Sequence, residues 1–428
     1  MDNRRSKIGI VGCGTVGSAL IDLLHGEADI EIVALAVKEI NKARSTTLTG
    51  ISLTDKWQDV VNNNEIEIVV ELVGGLDPAK DIVETSLKNK KSVVTGNKEL
   101  IAKYGNELEE LASRSGVDLF YEAAVAGAIP IVKVLRESLK AENITRFLGI
   151  VNGTTNYILT SMSIDGLDFD TALKQAQDAG FAEKSSPEKD TEGFDAASKA
   201  AILASLGFST KIDESQVYRE GISHIERSDI LYAKSIGYEI KLLVIGELLK
   251  SKGNNDEKEV ALRVHPALVP ESHPLASVRG AYNAIFVEGS AIGEMMLYGR
   301  GAGGPPTASA VLGDIHEARV NRISSSFTFS DRRNNLAIKE IEDLISRYYL
   351  TLEVLDEPGV LAKVATIFGR FNVSISSMEQ IGAGEDAKLI FLTHDAQERD
   401  IRQTVKDLEQ LSHVVKVGRP IRILESNQ

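Results

Sequence analysis

The stretch KIGIVGCGTVGSALIDLL, residues 7–24, decides how this chain begins to fold. Lys7 to Val11 form a short apolar run, Gly12, Gly14 and Gly17 punctuate GCGTVG, and VGSALIDLL follows with apolar residues at helical spacing. Strand, glycine turn and helix stand in the order that a dinucleotide-binding unit requires. Gly12 permits the tight turn, Gly14 lets backbone approach a pyrophosphate, and Gly17 lets helix pack on strand. Thr15 and Val16 lie between them, where the first N–H groups of the helix face phosphate charge. A glycine turn that holds no ligand is the competing reading, and the flanking strand and helix weigh against it.

Working outward, the second strand, EIVALAV, ends near Val37, where a carboxylate would normally receive the ribose hydroxyls. Lys38 stands there instead, with Glu39 beside it and Arg44 further on. Cations at this place suit a 2′-phosphate, so the reading leans to NADP; Glu39 keeps NAD open, and Lys38 pointing into solvent is the plainer alternative. EIEIVVELVGG, a helix beginning near Asp77, KSVVTGN and VDLFYEA continue the alternation of apolar strand and amphipathic helix. The expectation is an α/β fold, a doubly wound parallel sheet of Rossmann type over residues 1–130. Cys13, inside the phosphate turn, is expected to be a small packed side chain rather than an oxidation-sensitive thiol.

Composition sets the outer limits. The 428 residues are 43% hydrophobic and 26% charged, which is globular and long enough for two or three domains. Sixty-two acidic against 48 basic residues leave a net charge of −14, which argues against nucleic acid or an anionic membrane surface as partner and for a small-molecule substrate. With one cysteine there is no intrachain disulfide and no cysteine-rich metal site. MDNRRSK runs straight into a strand without an apolar signal region, so a cytoplasmic location is expected.

From about Ile129 the rhythm changes to a helix, IPIVKVLRESL, a strand, ITRFLGIVNG, and two helical stretches before a polar loop, AGFAEKSSPEKDTEG, that supplies Glu183, Glu188, Asp190 and Glu192. Without context those are solvated loop charges. The loop leads to GFDAASKAAILA, in which Asp195 and Lys199 sit four residues apart and project from one helix face. The pair can share a proton network; taken alone, such a pair is far more often an ordinary solvated ion pair worth a few tenths of a kcal/mol. A second glycine cluster, GRGAGGPPTASAVLGDI, joins backbone open to a ligand with Pro305 and Pro306 at a helix start.

Four motifs now carry a resemblance. TGNKEL at 95–100, GIVNGTTNYIL at 149–159, GFAE leading to GFDAASKAAILA, and GRGAGGPPTASAV together resemble homoserine dehydrogenase over nearly all of residues 1–320. The resemblance implies NAD(P)-dependent interconversion of L-homoserine and L-aspartate 4-semialdehyde, on the route to threonine, methionine and isoleucine, by an α+β catalytic and dimerisation domain over residues 131–320. It makes Lys199 the catalytic proton donor and Asp195 the acid that binds substrate and orients the network. It makes Glu183 the carboxylate for the substrate's amino group and Asp190 a further substrate-binding residue. Lys98 corresponds to a second lysine near nicotinamide and substrate, although this chain reads TGNK where the family usually has TANK. Gly180, Gly301 and Gly303 correspond to backbone contacts with cofactor. YEAAVAGAIP resembles a sodium loop, with the main-chain carbonyls of Glu122, Val125, Gly127 and Ile129 as ligands. One departure stands out: the family usually has Asp-Pro just after the loop glutamate, whereas EKSSPEKD runs one residue longer between Ser185 and Asp190.

After a polar connector, 321–346, residues 347–428 alternate as strand, helix, strand, strand, helix, strand, a βαββαβ pattern. LDEPGVL followed by NVSI resembles an ACT domain, a small amino-acid-binding module. The resemblance implies an L-threonine sensor that lowers activity; an ACT unit that only supports dimerisation is the alternative. A homodimer or larger homo-oligomer is expected, because both the middle domain and ACT sheets tend to pair. From another functional class, the chain could be a non-catalytic amino-acid sensor on a retained nucleotide fold, which the presence of Lys199, Asp195 and Glu183 argues against.

Overall fold

The computed structural model describes residues 5–44, 46–250, 257–324, 334–382 and 387–425. They form two compact units that interleave along the chain: Met1–Gly153 with Asp195–Val217 and Ala281–Leu336, and Thr154–Phe194 with Tyr218–Gly280 and Ala337–Gln428.

The first unit carries six parallel strands in the spatial order Ser52–Thr54, Ile30–Ala36, Ser6–Val11, Ile68–Glu71, Ser92–Thr95, Leu119–Phe120. This is the doubly wound Rossmann sheet expected from the glycine turn, and the strand order reverses beside Ser6–Val11, the place at which sheets of this kind bind ligands. Parallel strands covered on both faces are mostly apolar, and Ile68–Glu71 and Ser92–Thr95 are buried at every position, with the polar Glu71, Ser92 and Thr95 at their ends. Ile8, Ile10, Leu20, Ile21, Val70 and Val94 form the core together with Ala308, Val311, Ile315 and Ala318 of the helix Gly304–Ser324, and Cys13 packs against it. That helix comes late in the chain yet closes the first core, because its apolar stripe is buried only there. Three antiparallel strands, Ile144–Ile150, Tyr282–Gly289 and Gly293–Arg300, complete the unit with the helix Phe194–Gly207, which enters it at Asp195.

In the second unit, Tyr238–Lys250 and Lys258–Pro270 pair antiparallel over their full length. The helices Phe169–Asp178 and Arg227–Ser235 belong to the same unit. Its last part has the expected βαββαβ order. Ile345–Val354 lies between Ala387–Thr393 and the last strand segments, Ile375–Ile381 lies beyond Ala387–Thr393, and the helices Val360–Arg370 and Glu398–Leu408 cover one face through Leu350, Leu352, Val364, Phe368, Phe391 and Ile401.

Two details differ from the sequence reading. The final strand is two segments, Val414–Val417 and Ile421–Ile423, since Pro420 has no N–H for a ladder and Gly418 crosses so close to Thr351 that a Cβ would collide with its hydroxyl. Residues 325–333 of the connector lie outside those described; beyond them Ala337–Ile338 pairs with Lys258–Pro270, and Ile345 already belongs to a strand. Among the described residues no helix is long and apolar enough to cross a membrane.

Candidate active site

At the cofactor end, each glycine of the turn has a distinct reason. Gly12 has φ +106°, and a Cβ there would lie 2.6 Å from the Leu72 carbonyl oxygen. A Cβ on Gly17 would strike the Gly12 carbonyl, whereas one on Gly14 would meet nothing within 4 Å. Gly14 thus borders open space at the N-terminus of the helix Thr15–Leu24, whose first turn also holds Val16 and has no side-chain cap. Amides left without intrahelical partners beside that space make an anion cradle. Gly304 packs against Thr15, which sets the Gly301–Gly303 turn beside the cradle. Asn283, its amide buried and unpartnered among the described residues, packs against Gly301.

Lys38 and Glu39 are exposed just beyond the second strand. Arg44 is spent on its own loop: Nη1 donates to the carbonyls of Lys42 at 2.8 Å and Ile40 at 3.2 Å, and Nη2 to that of Glu39 at 2.6 Å. Sequence reasoning put both cations in one role; the geometry leaves Lys38 exposed and makes Arg44 the clasp of the loop.

The chemistry-bearing cluster forms where two strand ends meet two helix starts. Thr95 ends its strand and donates to the buried Glu71 carboxylate at 2.6 Å, and that carboxylate also accepts from Val73 N at 2.8 Å. Burial raises the Glu71 pKa, against these hydrogen bonds. Asn97 then caps the helix Lys98–Ser115, accepting from Leu100 N at 3.1 Å and donating to the Gly75 carbonyl at 2.6 Å, so the next residue, Lys98, leaves the first turn in a defined direction. The strand Ile144–Ile150 delivers Val151 and Asn152.

On the helix Phe194–Gly207, Lys199 Nζ donates to Asp195 Oδ2 at 2.7 Å and to the Val151 carbonyl at 2.6 Å. Asn152 Nδ2 donates to Asp195 Oδ2 at 2.8 Å, and Lys98 Nζ to Asp195 Oδ1. The side chains of Asp195 and Lys199 are only 6% and 11% exposed, against 37% for Lys98. This is no solvated surface pair. Burial alone would push the Asp195 carboxyl up, but the ammonium groups of Lys199 and Lys98 outweigh it and hold it well below the usual carboxylate range. One carboxylate between two ammoniums leaves a net positive charge in a shielded place, suited to an oxygen that gains negative charge. Asn152, Asn97 and Glu71 were missed from sequence as functional residues. The first two lie inside quoted motifs, but Gly75 and Asp195, to which their amides donate, are distant in the chain.

Glu183, Asp190 and Gly180 belong to the second unit. Gly180, φ +77°, ends the turn after the helix Phe169–Asp178. Glu183 is exposed, its Oε2 accepting from Ser186 Oγ at 3.2 Å, and Asp190 lies on the single helical turn Glu188–Thr191 that Pro187 opens. In the first unit, the proposed sodium loop bends through Ala126 and Gly127, φ +55° and +56°. The carbonyls of Val125 and Gly127 accept no backbone hydrogen bond among the described residues; those of Glu122 and Ile129 each accept one and keep a second lone pair. Carbonyl oxygens with free lone pairs are the donor type that a hard cation takes.

The cradle suits a dinucleotide, and the buried Asp195–Lys199 pair with Lys98 suits proton transfer at an oxygen. Family models agree: homoserine dehydrogenase, NAD binding domain, over residues 12–122; homoserine dehydrogenase over 130–316; ACT domain over 348–413. A homoserine dehydrogenase from a Synechocystis species is 41% identical over 434 residues, covering 98% of this chain and 99% of its own. The crystal structure of a homoserine dehydrogenase from Thiobacillus denitrificans has 40% identity and a TM-score of 0.91, with 99% of each chain covered. A hyperthermophilic archaeal homoserine dehydrogenase in complex with NADPH, 27% identical, gives a TM-score of 0.61 over 74% of this chain and 98% of that one. The chain belongs to the homoserine dehydrogenase family.

Proposed function

We propose that the protein interconverts L-homoserine and L-aspartate 4-semialdehyde, with residues 1–130 holding cofactor, 131–320 carrying the chemistry and 347–428 sensing L-threonine. The observation that carries this reading is the buried Asp195–Lys199 pair with Lys98 on the second carboxylate oxygen. When bound, the dinucleotide accepts or supplies the hydride. In the reducing direction the Lys199 ammonium donates its proton to the carbonyl oxygen; in the oxidising direction the proton returns through water. Asp195 and Val151 O orient that ammonium, and Asn152 orients Asp195. Glu183 receives the substrate's ammonium, Asp190 and Lys98 complete the substrate contacts, and Gly180, Gly301 and Gly303 line the cofactor.

Lys38, exposed at the end of the second strand, favours NADP, and the NADPH complex of the archaeal relative supports a nicotinamide cofactor of that kind. The carbonyls of Glu122, Val125, Gly127 and Ile129 would hold a structural sodium ion. A cytoplasmic homodimer or larger homo-oligomer completes the reading. The test is the rate of NADP and of NAD reduction with L-homoserine, followed by absorbance, with and without L-threonine. Turnover that is faster with NADP and falls with threonine is expected. No turnover with either cofactor in folded protein refutes it.

A further inference from the structure

The second unit contains a cleft of about 690 Å³ that none of the roles above uses. Its floor is the face of the C-terminal sheet that the two helices leave uncovered, with Thr351, Glu353 and Lys388 from the strands. Its opposite wall is Ser223–Asp229, leading into the helix Arg227–Ser235, together with the first residues of the helix Phe169–Asp178. The Asp356–Gly359 turn contributes nothing to it.

The cleft is held open by a built frame. Lys388 Nζ donates to Glu226 Oε2 at 3.2 Å and Ser228 Oγ at 3.0 Å, and Lys416 donates to Glu226 Oε1. The hydrogen bond from Lys416, with the charge of Lys388, brings the Glu226 carboxyl down to about 2. Tyr349 OH donates to Asp229 Oδ1 at 2.9 Å, and the same carboxylate accepts from Glu226 N at 2.9 Å. These groups are spent on one another.

Other groups lining the space are not. Arg227 and Arg419 are exposed and make no hydrogen bond or ion pair among the described residues. Arg419 stands where Gly418 and Pro420 interrupt the last strand, so it leaves the ladder at the cleft. Glu353 and Asp170 bring carboxylates. The ring nitrogens of His224 are both shielded from solvent and without a hydrogen-bond partner among the described residues, and burial lowers the pKa of that ring, so it offers one donor and one acceptor.

A lining that balances guanidinium against carboxylate suits neither a polyanion nor a polycation, whose excess charge would stay uncompensated. It suits a small molecule with one charge of each sign. We propose that this cleft binds a free α-amino acid, its carboxylate on Arg419 and its ammonium on Glu353. The volume is that of a small-molecule site, with room for ordered water around so small an occupant. The occupant would touch the C-terminal sheet and the start of the helix Phe169–Asp178 together. That helix ends at the loop carrying Glu183, so occupancy bears on the substrate loop. This rests on the reading of residues 347–428 as an amino-acid sensor and gives it a place other than the Asp356–Gly359 turn.

The test titrates the full chain with L-threonine, L-methionine and L-isoleucine, by calorimetry and in the turnover assay. At least one should bind. Losing a charge-assisted hydrogen bond should weaken it about tenfold or more in both Arg419→Ala and Glu353→Gln. Basal turnover should be unchanged in both variants, and Asp356→Ala, in the turn, should bind as wild type does. Binding unchanged in Arg419→Ala and Glu353→Gln overturns the site and leaves the sensor reading standing. Binding lost only in Asp356→Ala overturns it in favour of the turn. No binding of any of the three to wild type overturns site and sensor together.

Discussion

Replacing Lys199 by Met keeps the length of the side chain and removes its ammonium. The stability cost follows from the two bonds lost. Val151 O loses a donor at 2.6 Å in a buried place, a cost of about 1–3 kcal/mol. Asp195 loses one cation but keeps Lys98 and Asn152, so it is not stranded as an unpaired buried charge. The variant should fold. The catalytic cost is that of a positioned general acid, about 10²–10⁴ in rate, or roughly 2.7–5.5 kcal/mol in the barrier. The assay is homoserine oxidation under saturating substrate, read as kcat, beside a urea titration of the same preparation. A loss of kcat with little change in KM is expected, because the proton is transferred only in the transition state. Lys199→Arg should lose turnover as well, since a guanidinium keeps its proton. Folded Lys199→Met that turns over within about threefold of wild type would refute the assignment, being far short of what a lost general acid costs.

Other perturbations separate the roles of single groups. Gly14→Ala should leave the unfolding midpoint unchanged, since its Cβ meets nothing, while raising KM for the dinucleotide about tenfold or more; Gly17→Ala should instead lower stability by about 1–3 kcal/mol through its collision with Gly12 O, as a urea titration would show. Asn152→Ala removes one of the hydrogen bonds that aim Asp195 and should lower kcat by about tenfold, a smaller loss than at Lys199. Burial brings Lys241 from its ordinary 10.5 down to about 8. Between those values the unfolded chain holds a proton that the folded protein does not, so this group makes stability rise with pH across that window, with the full penalty present below about pH 8. Lys241→Met should flatten that part of the profile of urea midpoint against pH, and an unchanged slope would contradict the burial argument.

The sequence by itself determined the parts that depend on local spacing. Glycines at 12, 14 and 17 between an apolar run and a helical pattern specify strand, turn and helix; Gly12 and Gly17 each meet a steric reason of their own in the structure, while Gly14 borders open space. Asp195 and Lys199, four apart on a helix, had to lie on one face. The βαββαβ order was likewise readable from alternation, although the close approach of Gly418 to the Thr351 hydroxyl was not, because Thr351 is 67 positions away.

Only the tertiary structure decided what those spacings are worth. An i, i+4 pair is a weak surface contact until the strand ending at Ile150 brings Val151 and Asn152 to it and the helix starting at Lys98 supplies a second ammonium. Burial then turns a pair worth tenths of a kcal/mol into a preorganised charge site. In the same way Arg44, a candidate phosphate ligand by position, closes its own loop, and the helix Gly304–Ser324 completes a core begun by residues almost three hundred positions earlier. Hydrogen bonds and desolvation depend on distance in space, which chain order does not encode one residue at a time.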